Sequence, residues 1–258
     1  MDYSPLESKQ KQAKPATQHT QSAQRLVEQT LPFSDRRSFE NAQRGFIATL
    51  EPLTITRENG HVTYDLSEMD FLQGEAPATV NPSLWRQAQL NALYNGLYEV
   101  TEGVYQVRSF DIANMTLIRG EKGWVIIDPL TSSESSAAAL ALANQHLGER
   151  PVSAVLITHS HADHFAGILG VVSADDVASG KVPLVAPQHF VQEALSENVL
   201  AGNVMGRRAT YMYGNLLKPG PQAFVSTGLG AALSMGSTGF IVPSDYVCET
   251  GETRTLDG

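Results

Sequence analysis

A chain of 258 residues, 42% of them apolar, is long enough to bury a substantial core as one large or two small domains. Its net charge of −9 argues against a general nucleic-acid role, which needs a basic face, and its single cysteine excludes an internal disulfide framework. No apolar run reaches the ~18 residues that span a bilayer, and M-D-Y-S-P-L-E-S-K-Q lacks the apolar centre of a secretory signal, so a cytoplasmic protein is expected. An anionic ligand of so acidic a chain has to be held by a local cluster of positive charge.

Residues 1–24 are rich in Gln, Lys, Ser and Thr and carry few large apolar side chains, so a disordered leader is expected there. Residues 25–97 read as an N-terminal extension with helices and a hairpin. A mixed helical pattern surrounds F-E-N-A-Q-R-G-F-I-A-T-L, and two β-prone runs flank Asn59-Gly60, the strongest short hairpin signal. Asn81-Pro82 opens a further helix, which Gly96 closes. His61 lies beside the hairpin turn, where exposure explains it.

From residue 98 onward the pattern is regular. G-V-Y-Q-V-R-S-F, N-M-T-L-I-R-G and W-V-I-I-D-P-L read as strands, the last ending in Asp128. Thr131-Ser132-Ser133-Glu134 has the form of a capping box with the Thr131 hydroxyl as cap, opening a helix that Gly148 ends. His146, in its last turn, complements the helix dipole. V-S-A-V-L-I is a second buried strand and delivers the chain into Thr158. Strand, helix, strand and polar loop describe a layered α/β domain with its site at strand ends. Beyond it, P-L-V-A reads as a short strand, Pro187 as the first residue of a helix, and A-G-N-V-M-G-R-R-A-T-Y-M-Y-G-N-L-L as a helical segment broken by Lys218-Pro219-Gly220-Pro221. The rest, rich in Gly, Ser and Thr, reads as loop with short strands, where Cys248 is a free thiol.

The stretch T-H-S-H-A-D-H-F-A-G, residues 158–167, concentrates three of the seven histidines. Imidazole nitrogen and carboxylate oxygen are the ligands that Zn²⁺ favours. On an extended segment leaving a strand, His159 and His161 point the same way and can grip one ion. Asp163 and His164, at the following turn, can face a second. Two ions ~3.5–4 Å apart can share a hydroxide and clamp the attacking and leaving oxygens of a hydrolysis. A closed structural zinc site usually draws on paired cysteines, which this chain lacks. Asp128 is placed either to orient a ligating imidazole or to serve as an ordinary helix-preceding aspartate. His189, just inside a helix, reads as a surface residue.

H-S-H-A-D-H after a buried strand resembles the H-x-H-x-D-H signature of the metallo-β-lactamase superfamily. V-N-P-S-L-W-R-Q-A-Q-L-N, G-V-Y-Q-V-R-S-F-D-I-A-N-M-T, G-W-V-I-I-D-P-L-T and N-V-M-G-R-R-A-T-Y-M-Y-G are similar to the linear alkyl sulfatases of that superfamily. The resemblance implies an αββα sandwich and a binuclear zinc site, with His159 and His161 on one ion and Asp163 and His164 on the other, Asp163 also counting as catalytic. A metal-bound hydroxide would release sulfate and a fatty alcohol from an anionic alkyl sulfate. Arg207 and Arg208 are candidates to hold the sulfate, and Tyr211, Met212 and Tyr213 to line an alkyl path; an amphipathic helix with its arginines in solvent is the alternative. Family members continue beyond the length of this chain, through further zinc ligands, a dimerisation domain that makes them homodimers, and a sterol-carrier-like domain. The sequence therefore reads as the front portion of such an enzyme, with another hydrolase of the same fold (thioesterase-like) or an inactive remnant as the other readings. Half a sandwich is expected to expose apolar sheet surface.

Overall fold

The computed structural model describes residues 13–258. Helix α1 (Gln18–Thr30) begins where the Thr17 side chain accepts the Thr20 N–H, and it runs on without a buried residue. Residues 18–24 are therefore helical, which corrects the expected leader; residues 1–12 lie outside the described part. The Thr17 cap satisfies one first-turn amide, a local stabilisation of about 1 kcal/mol that composition does not register. Helix α2 (Arg37–Gln43) follows, with Phe39 buried beneath the guanidinium groups of Arg36 and Arg86.

Strand β1 (Phe46–Ala48) leads to the hairpin of β2 (Thr54–Thr56) and β3 (Val62–Asp65), turned at Gly60 with φ +80°. The turn falls at Asn59-Gly60 as the sequence predicts, and His61 beside it is exposed. Helix α3 (Pro82–Leu93) opens with the Asn81 side chain accepting the Ser83 N–H and with Pro82 in its first turn, where a missing N–H costs nothing. Its end comes before Gly96, which instead opens β4 (Gly96–Thr101). A Cβ at Gly96 would meet the Ala48 carbonyl, so this glycine is required by the close approach of two strands.

Strands β5 (Val104–Arg108), β6 (Met115–Arg119) and β7 (Trp124–Ile127) continue as an antiparallel meander. Helix α4 (Ser133–Leu147) then crosses to β8 (Val152–Leu156), which pairs parallel with β7. Helix α5 (Ala174–Ala178), β9 (Leu184–Pro187), α6 (Phe190–Leu195), a π-helical turn Ser196–Leu200, α7 (Gly202–Tyr213) and β10 (Asp245–Val247) complete the order. One eight-stranded sheet results, in the order β1-β4-β5-β6-β7-β8-β9-β10, beside the two-stranded β2-β3 ribbon. Because β1 pairs with β4 in this sheet, residues from Ile47 onward share one hydrophobic core with the later strands, and the expected division after residue 97 falls inside β4.

The core sits where Leu97, Val107, Met115, Leu117, Trp124, Ile126, Val155 and Leu184 are fully covered. Each such side chain contributes about 1.5–3 kcal/mol on burial. The capping residue of α4 is Ser132, whose Oγ accepts the Ser135 N–H at 3.2 Å, and not Thr131. Glu134 does not reach back to the cap either: its carboxylate takes the Ser237 N–H at 2.7 Å, the Ser237 hydroxyl at 2.8 Å and Arg57 at 3.2 Å. Pro187 closes β9, and α6 starts three residues later behind His189. The large exposed apolar side chains lie mainly on residues 195–217 and 229–242, while β4 and β6 expose only Val100 and Ile118. Among the described residues no helix is long and apolar enough to cross a membrane.

Three parallel neighbours, β7, β8 and β9, end side by side. Their C-terminal ends deliver Asp128, the loop after Leu156 and the start of α6 to one edge of the layer, the usual place for a site in an open α/β sheet.

Candidate metal centre

Asp128 leaves β7 with φ +57°, a left-handed conformation that aspartate tolerates better than most residues. Its own N–H donates to the Leu156 carbonyl at 3.0 Å, so the end of β7 is fixed to the end of β8. One carboxylate oxygen accepts the Thr158 N–H at 2.8 Å; the other accepts the Thr158 hydroxyl at 2.6 Å and lies 2.8 Å from His164 Nδ1. The chain between Thr158 and His164 is thus bent around one carboxylate. A single 3₁₀ turn, Ala162–His164, makes that bend, with the His164 N–H donating to the His161 carbonyl at 3.0 Å. Gly167 closes the loop through a 2.9 Å bond from its N–H to the Leu130 carbonyl, and a Cβ there would collide with the Pro129 and Ser132 carbonyls.

Within the bend the three imidazoles are packed together. His159 lies between the other two, 4.7 Å from the His161 ring and 4.1 Å from the His164 ring, centroid to centroid. Asp163 Oδ2 is 3.3 Å from His164 Nε2, and Glu197 Oε1 is 3.4 Å from His161 Nε2. Ligand-type atoms of Asp128, His159 and His164 all lie within 4.8 Å of one another. The Asp128 carboxylate is thus engaged by Thr158 and His164 Nδ1, while His164 Nε2 faces Asp163 Oδ2.

The protonation of these groups is set by their packing. Burial alone would drive the proton off His164, but hydrogen bonds to Asp128 and Asp163 and the charges of both push its pKa up to about 9. Burial, followed by the positive neighbours His164 and His161, lowers His159 despite the two carboxylates. Burial would raise Asp163, yet its bond to His164 and the positive charges of His164 and His161 hold it below the usual carboxylate range. Such a set suits a borderline divalent cation: imidazole nitrogens and carboxylate oxygens, partly buried, in which crowded imidazoles exchange protons for metal.

A cavity of 570 Å³ includes His161, Asp163 and Glu197 together with apolar side chains such as Met69, Ile112, Leu216 and Leu233. Of the residues proposed for substrate, Tyr213 lines this cavity, with Met205 and Ala209. Arg207, Arg208 and Tyr211 do not line it, and Tyr211 is 90% exposed. The reason is helical phase: positions 205, 209 and 213 share one stripe of α7, and 207, 208 and 211 fall on other faces. The cluster of positive charge expected for the sulfate is therefore not supplied by these two arginines in this arrangement. His189 is an exposed residue in a left-handed conformation, its Nδ1 3.0 Å from Gln192 Oε1, away from the histidine cluster.

Three participants were not singled out in the sequence. Thr158 bridges Asp128 and His159 through its hydroxyl; it was visible as the residue opening the motif. Asp111 is 1% exposed and accepts N–H groups of Ile112 at 2.8 Å, Ser234 at 3.0 Å and Thr131 at 3.1 Å. Burial raises its pKa against those bonds. It fixes the loop around Ser234 to the start of α4, and the only signal was its place in R-S-F-D-I-A-N. Glu197, brought in by the π-helical turn, had no local signal.

The Metallo-beta-lactamase superfamily profile matches residues 108–244, which contain this whole constellation. The chain is 49% identical over 248 residues to a linear primary-alkylsulfatase of Pseudomonas sp., covering 95% of this chain and 37% of that protein. It is 45% identical to an alkyl/aryl-sulfatase of Saccharomyces cerevisiae, covering 97% and 39%. The solved structure of a stereoselective inverting sec-alkylsulfatase from Pseudomonas sp. superposes with a TM-score of 0.89 at 43% identity, covering 95% of this chain and 39% of that one. The chain thus spans well under half the length of the relatives it matches. It belongs to the metallo-beta-lactamase superfamily, and within that superfamily its similarity runs to alkylsulfatases.

Proposed function

We propose that the chain serves zinc-dependent hydrolysis of linear alkyl sulfate esters, releasing inorganic sulfate and a fatty alcohol. The observation that carries this reading is the single cavity that holds His161 and Asp163 of the histidine motif alongside a run of apolar side chains. A sulfate ester on an alkyl chain needs both: cationic chemistry at its head and dry surface for its tail. The similarity to sulfatases named for primary, secondary and alkyl or aryl esters supports the reaction class.

In this reading His159 and His161 hold one zinc ion, and Asp163 and His164 hold a second. The chemistry that zinc supplies when bound is acidification of water and neutralisation of charge on the ester oxygens. The chain's own residues do the rest. Asp128 keeps the proton of His164 on Nδ1, so that Nε2 faces the site. Thr158 joins that carboxylate to His159. Asp163, held ionised by its neighbours, offers an acceptor at neutral pH. Tyr213, Leu216 and Leu233 exclude water along the tail of the substrate.

The test is to supply the chain with Zn²⁺ and dodecyl sulfate and to measure sulfate and dodecanol together, with a secondary alkyl sulfate and an acyl thioester in parallel. Equimolar sulfate and dodecanol are expected. Thioester cleavage without sulfate release by the zinc-loaded chain overturns the reading, and faster release from the secondary ester moves the specificity to that class.

A further inference from the structure

We propose that the face formed by α7 and the rim of the cavity docks on an anionic lipid surface, lying on it and not crossing it. The inference goes beyond the sulfatase reading and requires no bound zinc.

Charge is divided sharply along the sequence. Residues 198–244 carry Arg207, Arg208 and Lys218 and no aspartate or glutamate, a local charge of +3 in a chain of −9, which leaves −12 on the other 211 residues. All three cations are exposed, and none of the ion pairs among the described residues engages them. The same 47 residues hold 13 of the 23 large apolar side chains exposed among the described residues. Leu200, Tyr211 and Leu216 stand furthest out, at 83%, 90% and 81% exposed.

Helix α7 buries no residue. Val204, Arg208 and Tyr211 share one of its stripes, distinct from the stripe of Met205, Ala209 and Tyr213 that lines the cavity. This outer stripe, with Arg207 beside it, mixes apolar, aromatic and basic side chains in the manner of a helix that lies on a membrane. There the apolar groups enter the boundary of headgroups and acyl chains, and arginine and lysine stay among the anionic headgroups. A protein partner would have to bring carboxylates for three unpaired cations and separate pockets for side chains this prominent. A fluid anionic layer meets both demands at once. The negative charge elsewhere on the chain opposes docking little, because screening confines it to about 8–10 Å at ordinary ionic strength.

The position of the face gives docking a use. Met205, Leu216, Leu229 and Met235 line the 570 Å³ cavity and are also exposed, so its mouth opens within the same face. Of the lining carboxylates, Asp163 and Glu197 are turned toward His164 and His161, which leaves Glu68 as the one exposed acidic side chain. An alkyl chain dissolved in the layer would reach the cavity without crossing water.

The experiment is cosedimentation of the chain with vesicles of phosphatidylcholine alone and of phosphatidylcholine with phosphatidylglycerol, at about 0.1 M and about 1 M salt. Binding is expected to the anionic vesicles only, and to be lost at high salt. Each basic side chain near the surface contributes roughly fivefold in affinity, so a variant carrying Arg207→Gln, Arg208→Gln and Lys218→Gln should bind about 100-fold more weakly. Arg25→Gln, Arg44→Gln and Lys122→Gln together remove as much charge from exposed positions elsewhere, and should stay within about twofold of wild type, since those sites lie off the docking face. Leu200→Ser with Tyr211→Ser should cost at least ~10-fold. Every substituted side chain is exposed, so circular dichroism should match wild type throughout. Absence of binding, equal binding to neutral vesicles, or equal losses in the two charge variants would overturn the inference. So would a different occupant: sedimentation showing a dimer that Leu200→Ser with Tyr211→Ser dissolves, or stoichiometric capture of the remaining part of the 49%-identical Pseudomonas relative in place of vesicles.

Discussion

Asp128→Asn is the most informative single change. The amide is nearly isosteric, and asparagine tolerates the φ of +57° at this position. The Thr158 N–H keeps an acceptor, but His164 Nδ1 loses a charged one at 2.8 Å. A hydrogen bond to a charged group contributes about 1.5–3 kcal/mol, and that is the expected loss of stability in the metal-free chain at pH 6. The loss should depend on pH in a definite direction. The folded pKa of His164, about 9, stands above the unfolded value of about 6.5. Its protonated pairing with Asp128 and Asp163 therefore stabilises fully below about pH 6.5, and that contribution is lost as pH rises through about 9. The variant should accordingly fall furthest below wild type at pH 6 and approach it at pH 10. The His164 ring resonance, titrated by NMR, should move from a midpoint of about 9 in wild type to at least roughly one unit lower, with Asp163 still in place. Zinc affinity at neutral pH should drop roughly 10–100-fold. An unchanged midpoint, or a stability loss equal at both pH values, would refute the assignment of Asp128 as the partner of His164.

Three further outcomes are expected. Zinc uptake near pH 7 should release a proton, because His164 holds one up to about pH 9; buffers of different ionisation enthalpy in calorimetry will show it, and apparent affinity should climb as pH rises toward 9. Glu134→Ala removes acceptors for Ser237 and Arg57, and denaturant melts should register a loss of about 1–3 kcal/mol. Gly167→Ala forces a methyl group into the Pro129 and Ser132 carbonyls; overpacking of about 1–3 kcal/mol, together with weaker zinc binding, is the expected result, since the loop it closes carries His164.

Much of this fold was legible because its signals are local. Asn59-Gly60 and Asn81-Pro82 act within a turn, and the β7–α4–β8 unit announces itself through two apolar runs around an alanine-rich helix. The crowding of His159, His161 and His164 was legible for the same reason, all three lying on one short loop after β8. What sequence missed depends on distant partners. Thr131 and Ser132 both have capping chemistry, and the choice of Ser132 goes with its contact to the Ser234 hydroxyl. Glu134 fits a capping box by spacing, but Ser237, 103 positions away, claims its carboxylate. Arg207 and Arg208 carry the right charge for a sulfate, yet the phase of α7, set by which stripe packs toward the cavity, turns Met205, Ala209 and Tyr213 inward instead. The site residue hardest to foresee was Glu197, which reaches His161 only through a π-helical turn.

Metal content decides the central claim. The purified chain, saturated with Zn²⁺ and passed through a desalting column, should retain zinc stoichiometrically, and a variant carrying His159→Ala, His161→Ala and His164→Ala should retain none. A wild-type chain that emerges folded and zinc-free, or a triple variant that holds as much zinc as wild type, contradicts the account.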